Sequence, residues 1–161
     1  ICTSIIIKNQ KKEFIEREAN KHVDAMINTN LNKIVYDYFY KLKKLKYITI
    51  LATGSLDIYT KFFVKKIGLN FYVATELEIE NSLLTGNIIN SNCIEFNKYL
   101  KVSDLLKKIN LSWSDAIFFS DDISDFLCFK SAKQSFIINP KKSDLKKLND
   151  SKINYIKLRS R

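Results

Sequence analysis

Three stretches of this chain hold residues whose types and spacing suit phosphate and cation chemistry. In Leu51-Ala52-Thr53-Gly54-Ser55-Leu56-Asp57, an apolar run delivers a hydroxyl and a glycine directly before a helix N-terminus. Thr53 Oγ and the free N–H groups of a first helical turn can all donate to a phosphoryl oxygen. The same turn can equally be a plain helix cap. In Phe118-Phe119-Ser120-Asp121-Asp122-Ile123-Ser124-Asp125, a second apolar run ends in carboxylates, with Asp121 and Asp125 able to converge on one side of the loop. Hard oxygen donors at a strand tip suit Mg²⁺ when water and phosphate supply its other ligands. The alternative is that Asp122 and Asp125 only favour the positive end of a helix. Lys98 stands at the start of a helical pattern, where a cation opposes the dipole and gains no local stability. That placement hints at another use, although a solvated lysine is the default in so lysine-rich a chain. His22, the single histidine, falls on the polar side of a helical stripe and receives no role.

The elements that would position these residues alternate along the chain. Residues 9–27 carry Phe14, Ile15, Ala19, Val23, Met26 and Ile27 as a helical stripe, closed by the turn Asn28-Thr29-Asn30. From Leu31, apolar residues at Leu31, Ile34, Val35, Tyr38, Leu42 and Leu45 predict an amphipathic helix with Asn30 as its N-cap. The period then changes: 47–52 is a short apolar run rich in β-branched residues, as a buried parallel strand would be. Asp57 is placed to cap a helix through Ile67, with Gly68 at its left-handed end. A strand at 71–74 and a hairpin over 77–89 turning at Asn81-Ser82 come next. A helix over 97–110, a strand at 116–119, a short helix to Ala132, a strand at 136–138, a helix at 143–148 and an edge strand at 153–156 complete the series. Such alternation predicts a doubly wound, Rossmann-like parallel α/β sheet, whose active site lies at the carboxyl ends of its strands.

Composition narrows the classes further. With 161 residues, 46% of them hydrophobic, the chain can bury one core. Cys2, Cys93 and Cys128 stand far apart with no C-x-x-C pair, so neither a disulfide framework nor a zinc site is indicated, and a reducing, cytoplasmic setting is expected. The longest apolar runs, such as 5–7 and 48–52, are too short to cross a bilayer. The net charge of +10 admits a nucleic-acid or anionic-membrane partner. Its lysines are spread over helix faces in a chain also rich in Ile and Asn, without aromatic and basic residues interleaved. No nucleic-acid partner is therefore expected, while peripheral membrane contact is left open. The chain begins at Ile1 and its one methionine is Met26, so it is expected to be a fragment.

Thr53, Lys98 and the pair Asp121 and Asp125, in this order, resemble motifs two, three and four of the haloacid dehalogenase (HAD) superfamily. The intervening Ala74-Thr75-Glu76-Leu77-Glu78-Ile79-Glu80, Leu84-Thr85-Gly86 and Asn92-Cys93 resemble subfamily IB, the phosphoserine-phosphatase-like branch. There a T-x-L-x-V-x-x-G-x-x-T-G hairpin precedes the lysine. Ile138-Asn139-Pro140 followed by Asp144-Leu145 is similar to that branch's last strand and loop, and the likeness runs over about residues 30–158.

The resemblance implies an Mg²⁺-dependent phosphomonoesterase acting on a small phosphorylated metabolite or a phospholipid headgroup. Thr53 and Gly54 would hold the phosphoryl group, with Lys98 neutralising it and the nucleophile. Asp121 would coordinate Mg²⁺, and Asp125 would be a ligand or orient one through water. Residues 1–30 would be the remnant of a helical cap and 31–161 an α/β core lacking its first strand. The family's Asp-x-Asp-x-Thr, which carries nucleophile and acid–base, does not occur in these residues. The chain by itself is therefore expected to be inactive. Ser120 replaces the family's usual glycine and is expected to crowd the metal loop. Two other readings stand beside this one: a non-catalytic remnant or pseudoenzyme, and a basic nucleic-acid-binding module.

Overall fold

A computed structural model describes residues 7–159. Cys2 and most of the apolar run at 5–7 lie outside them. The chain divides into two compact units, Ile1–Leu31 with Lys46–Cys93, and Asn32–Leu45 with Ile94–Arg161.

The first unit opens with helix α1 (Lys12–Asn30). It runs through the expected stop at Asn28-Thr29-Asn30, and Thr29 Oγ returns a hydrogen bond to the Ala25 carbonyl at 2.9 Å. Strand β1 (Ile50–Leu56), helix α3 (Asp57–Ile67) and strand β2 (Phe71–Thr75) form a parallel βαβ unit. Gly68, at φ 78°, ends α3 in the left-handed region that a β-carbon disfavours, and its N–H donates to the Val64 carbonyl. β1 begins later than the apolar run suggests, because Tyr47 and Ile48 are exposed and unzipped from β2. Asp57 does not cap α3. It is the helix's first residue, and its Oδ1 accepts from the Leu77 N–H at 3.1 Å.

Strands β3 (Leu77–Glu80) and β4 (Leu83–Ile88) make the expected antiparallel hairpin, with Asn81 and Ser82 at positive φ. Thr85 Oγ and Asn87 Nδ2 both donate to Glu78 Oε2, at 2.7 and 3.0 Å, and hold that carboxyl below its ordinary range. α1 packs on α3 through ion pairs Glu16–Lys61 and Asp24–Lys66. The core gathers Ile58, Leu77 and Leu84, with Ile15, Leu56 and Tyr59 against it. His22, given no role from sequence, meets the Tyr59 ring edge-on, with 6.4 Å between ring centroids.

The second unit contains helix α2 (Lys33–Lys44), which starts two residues later than expected. Asn32, not Asn30, is its N-cap, accepting from the Val35 N–H at 3.3 Å. Lys41, Lys43 and Lys44 lie over the rings of Tyr38, Phe39 and Tyr40, so basic and aromatic residues do interleave here, contrary to the reading from sequence. Tyr38 packs on Phe119 and Phe136. Helix α4 (Glu95–Lys108) leads to strand β5 (Ile117–Ser120), which pairs in parallel with β6 (Gln134–Ile138). β6 pairs in turn with β7 (Ile156–Leu158), an edge strand slightly beyond its expected place. Between these strands run the short helix α5 (Phe126–Ser131) and helix α6 (Lys142–Asp150). Phe129, Ile137 and Leu148 form the core. Each such fully buried side chain contributes about 2 kcal/mol. Among the described residues, no helix is long and apolar enough to cross a membrane.

Candidate functional site

Each of the two polar strand ends belongs to its own unit. At the first, β1 and β2 pair in step from Ile50 with Phe71 to Ala52 with Val73, slip, and pair again at Leu56 with Thr75. The three residues set free by the slip are Thr53, Gly54 and Ser55. A bulge of this kind frees backbone groups from the ladder and re-aims them. The Ser55 N–H donates to Thr53 Oγ at 3.1 Å, which leaves the threonine's own hydroxyl hydrogen for a ligand. Gly54 is exposed, with no side chain to block an approaching anion, and its carbonyl accepts from Thr75 Oγ at 2.8 Å. Beside this loop, Leu56, Ile58 and Tyr59 join Ile7, Ile15 and Ala19 around an open apolar cavity of about 270 Å³.

The second strand end is that of β5. Ser120 closes the strand and a single 3₁₀ turn (Ile123–Asp125) follows. Asp125 is 3% exposed and Lys98, on the second turn of α4, 11%. Lys98 Nζ donates to Asp125 Oδ2 at 2.8 Å and lies 2.6 Å from Oδ1. Oδ1 sits in the ion pair but at an angle that gives it no hydrogen bond, so it remains an unsatisfied buried acceptor. Ser120 Oγ also donates to Oδ2, at 2.8 Å, while accepting the Asp122 N–H at 3.1 Å. The expected crowding by Ser120 is thus a bridge that ties the loop to the buried carboxylate. Asp122 Oδ1 accepts from the Ser124 N–H at 2.8 Å, chiefly for which reason its carboxyl lies below the ordinary range. Asp121 is exposed beside it.

These donors can be weighed against Mg²⁺, which takes one or two carboxylates and keeps water or phosphate for the rest. Asp121, being exposed, could offer a carboxylate oxygen to such an ion. Asp125 Oδ2 is taken by Lys98 and Ser120, while Oδ1 has no hydrogen bond. No group of three His, Cys, Asp or Glu placed to hold a metal occurs among the described residues.

Thr53 and Gly54 therefore lie in one loop, and Lys98 meets Asp125 in the segment after β5 that also holds Asp121. Sequence reasoning missed the hydroxyls of Thr75 and Ser120 as partners. Both are hydroxyl residues at the carboxyl end of a parallel strand, and that placement was the signal available.

A family model described as haloacid dehalogenase-like hydrolase matches residues 3–130. A comparison with curated proteins gives no match. Among solved structures, a protein of unknown function from Bordetella pertussis Tohama I has a TM-score of 0.71 at 17% identity, covering 83% of this chain and 63% of its own. A HAD family hydrolase from Salmonella enterica subsp. enterica serovar Typhi gives 0.70 at 19%, covering 95% and 49%. A phospho-aspartyl intermediate analogue of phosphoserine phosphatase gives 0.67 at 19%, covering 98% and 69%. The chain spans less than two thirds of the first two proteins. At these identities the shared property is the fold, and it is the α/β fold expected from the alternation of strands and helices.

Proposed function

The chain belongs to the haloacid dehalogenase-like hydrolase family, and from that membership we propose a magnesium-dependent phosphomonoesterase role for it, on a small phosphorylated metabolite or a phospholipid headgroup phosphate. In this reading Thr53 Oγ and the Gly54 N–H donate to the phosphoryl oxygens, and Lys98 neutralises charge on the phosphate and its attacker. Asp121 would hold Mg²⁺, which supplies Lewis-acid neutralisation of the phosphoryl oxygens when bound. Asp125 keeps Lys98 aimed, with Ser120 fixing the carboxylate in turn. Phosphoryl transfer depends mainly on such positioning and charge neutralisation. Residues 1–30 belong to the cap side of the molecule in this proposal and 31–161 to its core. A reducing, cytoplasmic setting accords with the buried thiols Cys93 and Cys128.

The observation that carries the reading is the Lys98–Asp125 pair. A lysine nine-tenths buried beside a carboxylate is a weak source of stability, because desolvation offsets the attraction. Placed at a strand's carboxyl end next to exposed Asp121, it is suited to meeting an anion. In a form of the protein that contains Asp-x-Asp-x-Thr, Thr53→Ala and Asp121→Ala are each expected to lower kcat for p-nitrophenyl phosphate by about 10². Unchanged rates in both would end the proposal.

A second reading is a non-catalytic member that keeps the scaffold; the 161 residues themselves hold no Asp-x-Asp-x-Thr. It predicts phosphate binding without turnover in every natural form of the protein.

A further inference from the structure

We propose that Thr75 is the positioning residue of the Thr53–Ser55 loop, an inference that rests on reading that loop as the phosphoryl-binding element. The slip in β1 frees three residues from the β2 ladder, and a freed backbone is expected to wander unless something else holds it. Gly54 offers no side chain for the purpose, so its carbonyl is the available handle. Thr75 Oγ–H donates to that carbonyl at 2.8 Å, and Thr75 Oγ accepts the Cys93 N–H at 3.0 Å. The direction of both bonds is fixed, since a carbonyl can only accept and an amide N–H can only donate. Thr75 is 5% exposed and Cys93 fully buried, so water has little access to the Thr75 hydroxyl.

The consequence reaches the ligand face of the loop. Holding the Gly54 carbonyl fixes the plane of the Gly54–Ser55 peptide, and with it the Ser55 N–H that donates to Thr53 Oγ. That bond occupies one lone pair of Thr53 and leaves its hydroxyl hydrogen to donate elsewhere. A hydroxyl on the neighbouring strand therefore sets the aim of the one that would meet phosphate. Because the second bond comes from Cys93, the segment that leaves the hairpin is tied to the same hydroxyl.

The experiment uses inorganic phosphate as probe, read by the backbone amide resonances of Gly54 and Ser55. Thr75→Val keeps the shape and removes both bonds, and is expected to weaken the phosphate Kd by about tenfold or more, the worth of a typical hydrogen bond. Thr75→Ser restores the hydroxyl and is expected to return Kd to within about threefold of wild type on the same scale. In the unaltered chain, the Cys93 amide is expected to exchange with solvent as slowly as the amides inside β2, a measurement that stands even if the valine variant fails to fold. Wild-type affinity in Thr75→Val, or a Cys93 amide that exchanges as fast as those of the hairpin turn, overturns the role of Thr75 while leaving the loop reading intact. Absence of phosphate shifts at Gly54 and Ser55 in the unaltered chain overturns both.

Discussion

The two strand ends that carry the polar residues are held by different physics. At the end of β1, Thr53, Gly54 and Ser55 are fixed by neutral hydrogen bonds, and Gly54 lies in the open. At the end of β5, a buried carboxylate holds a nearly buried ammonium, with a serine hydroxyl as brace. Neutral bonds of the first kind each add about 1 kcal/mol and can be lost singly. A buried charge pair is close to all-or-none, because removing one partner strands the other without water. The comparison teaches that side chains of one presumed purpose need not share a stability regime. The loop can be altered with little effect on folding, whereas the ion pair cannot.

The sharpest way to break the comparison is Asp125→Ala. It leaves Lys98 buried without its carboxylate and is expected to cost about 3–5 kcal/mol, read from the urea unfolding midpoint. A loss under about 1 kcal/mol would mean that Lys98 reaches solvent freely and that the two strand ends do not differ in kind. Ser120 comes next. Ser120→Gly restores the family's usual residue but removes the bonds to Asp125 and Asp122, and a loss of about 1–2 kcal/mol is expected. No loss would show that the hydroxyl merely fills the place the glycine leaves.

The smallest effect is electrostatic. The Ser124 N–H holds the Asp122 carboxyl below its usual value. A carboxyl so depressed favours the folded state above its unfolded pKa, and that contribution disappears as pH falls from the ordinary carboxylate range through the lower folded value. Asp122→Asn is expected to flatten the acid limb of the stability profile slightly. An identical limb in the variant would mean that the cap carries no charge-dependent share.

How much of this was legible in the sequence depends on whether a feature is local. The glycine ending α3 and the Asn81-Ser82 turn follow from the steric needs of short segments, and most strands and helices fall nearly where such segments place them. Thr53, Gly54, Lys98, Asp121 and Asp125 are candidates from sequence because each stands at a strand end or helix start. Features decided by tertiary partners were not legible. Asp57 is an acceptor for Leu77, twenty residues away, and not a cap. Asn32 displaces Asn30 as the cap of α2, a choice between two equivalent letters made by where the chain turns. Tyr47 and Ile48 have the composition of a buried strand and lie exposed, because pairing with β2 begins only at Ile50. Thr75 and Ser120 acquire their meaning from Gly54, Cys93 and Asp125, none of which sits beside them in sequence.

The central claim is that the Thr53–Ser55 loop receives phosphoryl oxygens, and titration of the isotope-labelled chain with inorganic phosphate at several salt concentrations tests it most directly. The account predicts saturable shifts at the Gly54 and Ser55 amides that Thr53→Ala abolishes and that persist as salt rises. Shifts scattered over exposed lysines, unaffected by Thr53→Ala and fading steeply with salt, would show nonspecific anion binding and contradict it.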